Sequence, residues 1–176
     1  MSYTRQMKAS FSVLKSGDTT MRKRIINTIQ PETASPDLEW LNTEELADVE
    51  ITSEDAAHPI ESALLSGRSG WRAAGPGKQA IRLNFNSPQR IRRIWINFVE
   101  PNVERTQEYV LRWSPDGGQS FREIVRQQWN FSPRGATSET EDLYVELPAV
   151  TVLELNIIPD ISGGNALATL ARLRLA

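Results

Sequence analysis

Apolar residues recur at every second position in short runs, and Gly, Pro, Ser, Asn and Asp separate the runs. Val49 and Ile51 alternate with Glu50 and Thr52; Ile81, Leu83 and Phe85 alternate with Arg82 and Asn84. Ile94, Ile96 and Phe98 alternate with Arg93, Trp95 and Asn97, and Tyr109, Leu111 and Trp113 with Val110 and Arg112. Further runs occupy residues 121–129, 143–147, 152–158 and 170–175. Successive side chains on a strand face opposite sides, so each run predicts a half-buried strand. About eight short strands joined by turn residues predict an all-β sandwich or jelly roll. An α/β fold needs a helix of about ten or more residues between strands, and no such period occurs. Residues 53–77 read as a long loop with one helical turn at 60–65.

Residues 1–36 lack a sustained period and end among Pro31 and Pro36, so they are expected to form a flexible extension. Within them Phe11 and Val13 alternate as in a short strand, and Ile25, Ile26 and Ile29 suit a helical turn. Residues 37–176 are expected to form the sandwich domain. Charge is divided in the same way, +4 on residues 1–36 and −6 on 37–176. So small an excess, without interleaved aromatics, argues against a nucleic-acid partner. With no cysteine, disulfides, thiolate catalysis and thiolate-bound zinc are excluded. No apolar leader or membrane-length run occurs, which predicts a cytoplasmic protein.

Motif order sharpens the fold. His58-Pro59-Ile60-Glu61-Ser62-Ala63-Leu64-Leu65 is followed by Ser66-Gly67-Arg68-Ser69-Gly70-Trp71, then by Ile81-Arg82-Leu83-Asn84-Phe85. This order resembles the discoidin, or coagulation-factor C-type, family of the galactose-binding-like superfamily, in which P-x-x-x-A-L-D-G-x-x-x-x-W precedes I-x-L-x-F. Ser114-Pro115-Asp116-Gly117-Gly118-Gln119-Ser120-Phe121 resembles its S-x-D-G-x-x-F hairpin. The resemblance implies a galactose-binding-like jelly roll from residue 48 to 175, whose last strand, 171–175, pairs beside the first. It also implies a non-catalytic module, most often binding carbohydrate through loops at one end. Many members hold calcium with an Asp where this chain has Ser66, and Arg172 lies near a second acidic position. No cofactor is therefore expected; Glu54 and Asp55 are the weak metal candidates. Trp71-Arg72-Ala73-Ala74-Gly75-Pro76-Gly77 resembles, over that stretch alone, the N-terminal domain of the single-strand-break repair scaffold, which holds a protein through one sheet face.

Two surfaces follow as candidate sites. Loop residues suited to a saccharide are His58, Arg68, Trp129, Asn130 and Arg134, with Trp129 or Phe131 as a possible stacking surface. His58, the only histidine, is otherwise read as capping the 60–65 turn. The second surface is an outward sheet face, because Arg82, Arg93, Trp95 and Arg112 are all out of phase with the core. Thirteen of the fourteen basic residues after Ser35 are arginine, the residue suited to paired and stacked interfaces. A protein-interaction module within a larger bacterial assembly is the corresponding alternative function. No P-loop, dinucleotide fingerprint or histidine-rich metal motif occurs, and the carboxylate pairs are adjacent in sequence rather than convergent. Catalysis is not expected.

Overall fold

The computed structural model describes residues 39–65 and 69–176. The extension at 1–36, the fragments around Phe11, Val13 and Ile25–Ile29, and both Ser66 and Arg68 lie outside the described residues. The rest is an all-β sandwich with two single-turn helices, α1 (Thr43–Leu46) and α2 (Glu61–Leu64). Its strands are β1 (Ala47–Ile51), β2 (Trp71–Pro76), β3 (Gln79–Val99), β4 (Arg105–Ser114), β5 (Arg122–Phe131), β6 (Ser138–Ile158), β7 (Leu167–Leu170) and β8 (Arg172–Leu175).

β3 and β6 pair antiparallel over most of their 21 residues each. Their register slips between Asn84 and Arg93, where Pro88 lies opposite the stretch containing Pro148. Proline has no N–H to donate, so it is tolerated only where the ladder is interrupted. Ser87-Pro88, which separates two of the apolar runs read as strands, is therefore a bulged bend inside one strand. Each strand changes neighbours across that bend. The first half of β3 lies beside β1, and the second half of β6 beside β4, which carries β5 at its far edge. The second half of β3 lies between the first half of β6 and β8. The last strand thus pairs with β3, not with the first strand as the family resemblance implied. β2 pairs with β7 in a separate two-stranded ribbon; Trp71 to Pro76 was expected to be loop.

The two halves bury one common core. Ile81, Leu83, Leu153, Leu155, Tyr109 and Leu111 come from one side, and Ile94, Ile96, Phe98 and Leu173 from the other. Phe98 and Tyr109 meet across the sandwich with ring centroids 5.0 Å apart. Trp71 is 1% exposed and Trp113 7%; Trp113 is in phase with Tyr109 and Leu111, whereas Trp71 lies in a stretch read as loop. Burying each large apolar side chain contributes about 1.5–3 kcal/mol. The β4–β5 hairpin turns through Gly117 and Gly118, with φ of 71° and 88°, a region open to glycine at no steric cost. The Asp116 carboxylate fixes that turn by accepting from the Ser114 hydroxyl at 2.6 Å and the Ser120 N–H at 2.9 Å. These bonds, the Ser114 hydroxyl's first, lower its pKa to about 2.

Candidate functional site

Strand register alone brings five loops to one end of the sandwich. Ile51 lies opposite Ile81, Gln79 opposite Ile157, Ile158 opposite Glu108, Arg105 opposite Phe131, and Val99 opposite Ser138. The described segments that follow or precede these residues, 52–65 and 69–70, 76–79, 99–105, 131–138 and 158–167, therefore cluster. The chain termini of the domain and the β4–β5 hairpin lie at the other end.

A groove of about 470 Å³ opens at this loop end, between His58, residues 69–72, and segments 99–103 and 165–171. Its walls are held by carboxylates that act on the backbone. Glu100 accepts from the N–H groups of Asn102 and Val103, both at 3.0 Å, and its other oxygen lies 3.4 Å from Arg105. That turn presents the Asn102 and Val103 side chains to solvent. Asp55 is chelated by the Nε and Nη2 of Arg72 and accepts from the Ala57 N–H at 2.9 Å. The Arg72 hydrogen bond, followed by that of Ala57, holds the Asp55 carboxyl below its usual range. Gly70 closes the segment with φ +87°; a Cβ there would stand 2.8 Å from the Leu170 carbonyl oxygen. Only glycine allows so close an approach.

What remains at the groove surface is a set of hydrogen-bonding groups beside an aliphatic wall. His58, Ser69, Asn102 and Asn165 line it, and their side chains take no hydrogen bond among the described residues. Val99 and Val103, 40% and 44% exposed, stand among them. With Ile161 they are three of the four large exposed apolar side chains of the described residues. Apolar exposure is thus concentrated at the loop end, with Val99 and Val103 where the polar groups converge, the usual character of a small-molecule site. Beneath it the core is polar. Arg105 and Gln107 continue the inward stripe of Tyr109, Leu111 and Trp113, and their Nε and Nε2 donors are buried without a partner among the described residues.

No family model and no curated protein matches the sequence. Solved structures do match. A family 32 carbohydrate-binding module of Clostridium perfringens NanJ, in complex with galactose, superposes with a TM-score of 0.57 at 14% identity, covering 77% of this chain and 96% of that one. A second C. perfringens module, in complex with GalNAc-β-1,3-galactose, gives 0.56 at 19% identity, over 78% and 99%. The C-terminal domain of a Bacteroides fragilis chitobiase gives 0.55 at 18%, over 78% and 97%. The fold is discoidin-like.

Within this discoidin-like fold the residues singled out from sequence scatter. His58 lies in the groove, half-buried. Its side chain does not cap α2; Glu54 Oε2 does that work instead, accepting from the Ile60 N–H at 3.0 Å. Asn130 lies at the same end but in a neighbouring concavity, and exposed Arg134 lines neither. Trp129 is not a loop platform. It faces inward from β5 opposite Gln107, half-buried against the core, because β5 extends to Phe131. Both Glu54 and Asp55 are engaged as described, and among the described residues no group of three His, Cys, Asp or Glu is placed to hold a metal. Asn102, Asn165 and the two valines escaped sequence reasoning. The available signals were Pro101-Asn102 directly after a strand and the turn residues Ser162-Gly163-Gly164-Asn165.

The arginine surface divides in two. Because β3 bends, Arg82 and Arg112 lie on the outer face of the β1-β3-β6-β4-β5 portion, whereas Arg93 and Trp95 lie on the portion formed with β8. Across the first, Glu50, Arg82, Glu154, Arg112 and Glu123 stand in register on five adjacent strands with alternating charge. Glu154, 1% exposed, accepts from Arg82 and Asn156 and from Arg112 Nε at 2.6 Å. Burial pushes its pKa up, but the three donors, Arg82 first, outweigh it and leave it below the usual range. Phe121 stacks on the Arg112 guanidinium at 4.4 Å. On the second portion Arg93 binds Asp142 through two bonds of 2.8 and 2.7 Å and stacks on Trp40 and Tyr144. These arginines have partners within the domain.

Proposed function

We propose that the domain is a non-catalytic saccharide-binding module whose contacts lie in the loop-end groove. The observation that carries this reading is the convergence of unpaired hydrogen-bonding side chains, His58, Ser69, Asn102 and Asn165, beside exposed Val99 and Val103. A sugar ring presents hydroxyls around its rim and C–H groups on its face, and this surface offers a partner to each. The structural neighbours that hold galactose and GalNAc-β-1,3-galactose support the same ligand class. A binding role is favoured over hydrolysis because the only histidine has no orienting carboxylate: Asp55, its nearest candidate, is held by Arg72. The wall is aliphatic rather than aromatic and the groove is open, so affinities on the order of 0.1–1 mM are expected.

A glycan array, followed by calorimetry of the strongest hits, tests this. Galactose and GalNAc-β-1,3-galactose are the first probes. The paired substitution Asn102→Ala and Asn165→Ala should abolish measurable binding and leave thermal unfolding unchanged. An inert array, or full binding by that variant, would overturn the proposal.

A further inference from the structure

Resting on the saccharide reading above, we propose that the site continues over the 99–105 loop into a second groove, so that its ligand is an oligosaccharide whose second unit is neutral or amine-bearing rather than a uronate. The second groove, of about 320 Å³, is lined by Glu104, Asn130, Ser132, Asp160 and Ser162 above Arg105 and Phe131. Val103 lines the first groove and Glu104 the second. Consecutive Cα atoms are about 3.8 Å apart, so one strand of loop forms a wall of both. A second sugar linked to the first meets this ridge.

The second groove, like the first, is lined by hydrogen-bonding groups. Ile161, 47% exposed, lies in sequence between the lining residues Asp160 and Ser162, and its N–H is tied to the Thr106 carbonyl at 2.8 Å. Asn130 uses its carbonyl oxygen to accept from the Thr106 hydroxyl at 2.7 Å, leaving its amide hydrogens for a ligand oxygen. Asp160 Oδ1 accepts from the Ser162 N–H and hydroxyl at 3.0 and 2.7 Å. The Glu104 carboxylate takes no hydrogen bond among the described residues, whereas Asp160 is held below its usual pKa by Ser162 first and also by the Thr106 N–H and the Arg105 charge.

A single buried guanidinium joins the two grooves. Arg105, 4% exposed, donates to the Leu167 carbonyl and to Thr169 Oγ1 and pairs with Glu100, all three of which line the first groove, while Arg105 itself lines the second. Its Nε has no partner among the described residues. That cation is enclosed and partly offsets Asp160, so the exposed carboxylate offered to a ligand in the second groove is foremost that of Glu104, with Asp160 beside it. Carboxylates accept hydroxyl or ammonium hydrogens and repel a third carboxylate, which sets the preference.

Calorimetry with galactose, GalNAc-β-1,3-galactose and digalacturonate reads the proposal directly. The neutral disaccharide should bind at least fivefold more tightly than galactose, and digalacturonate more weakly than either. Glu104→Gln and Asp160→Asn should each remove most of the disaccharide advantage while leaving galactose affinity and the unfolding temperature in place. Because Glu104 is exposed and holds no internal bond, its variant separates ligand contact from loop integrity. Equal affinity for one and two units, or an advantage that survives both substitutions, would overturn the extension while the saccharide reading stood. No binding by any of these sugars or by an array would overturn both.

Discussion

The outer face around Glu154 and the loop-end groove are both polar surfaces, yet they differ in how their hydrogen-bonding capacity is used. On the sheet face every charge in the row from Glu50 to Glu123 stands beside an opposite charge on the next strand. A buried carboxylate is tolerable there because two guanidiniums and an amide satisfy it. At the loop end carboxylates are spent on backbone N–H groups, and the side chains they display are left without partners. The arginines of the sheet face are therefore spent on internal pairing, whereas the loop end keeps hydrogen-bonding capacity next to exposed aliphatic groups, which is why the proposed binding surface lies there.

The contrast can be broken most forcefully at Glu154. Glu154→Ala leaves Arg82 and Arg112 without their shared acceptor and should cost about 2–4 kcal/mol, lowering the unfolding temperature by roughly 6–12 °C. An unchanged melting curve would show that the charge row is ornament rather than structure. The pH dependence follows from the direction of its shift. A carboxyl whose folded pKa lies below its unfolded value stabilises the fold above the unfolded pKa, and this contribution is lost as pH falls through the folded one. Acid titration of the wild type followed by circular dichroism should therefore show a steeper loss below the normal glutamate range than Glu154→Gln does.

Gly70→Ala comes next and acts on the groove. A side chain at φ +87° and 2.8 Å from the Leu170 oxygen should destabilise by about 2–3 kcal/mol, seen as a lower denaturant midpoint. It should also weaken saccharide binding by displacing Ser69 and Trp71. Single substitutions Asn102→Ala or Asn165→Ala should each reduce affinity roughly fivefold, the worth of one hydrogen bond, with no effect on melting. The smallest effect is expected for Arg126→Ala on the sheet face. Its bonds to Glu108 and Glu123 are exposed, so scanning calorimetry should show a shift of under about 2 °C and titration unchanged sugar affinity.

Alternation located the inward residues of β3, β4 and β6, and the Pro115–Gly118 signal located the hairpin. Boundaries were less legible. β3 passes through Ser87-Pro88 because its ladder resumes with β6 after a bulge, and a bulge depends on the partner strand. Trp71 to Pro76 forms a strand because Leu167 to Leu170, almost a hundred residues later, lies beside it. The site was legible only in outline. His58 and Asn130 do lie at the loop end, whereas Trp129 belongs to a strand longer than its apolar run suggested.

By itself, then, the order of side chains determined that this is an all-β domain without cysteines, which strand positions face its core, and that Trp113 is among them. Strand phase is local, and a two-residue period survives whatever the strand packs against. Tertiary structure decided everything that depends on neighbours distant in sequence. It separated Arg82 from Arg93 by bending one strand between them, and it supplied Glu154 and Asp142 as their partners. It also gathered Asn102, Asn165 and His58 around one groove at the loop end, because strand register sets which loops meet.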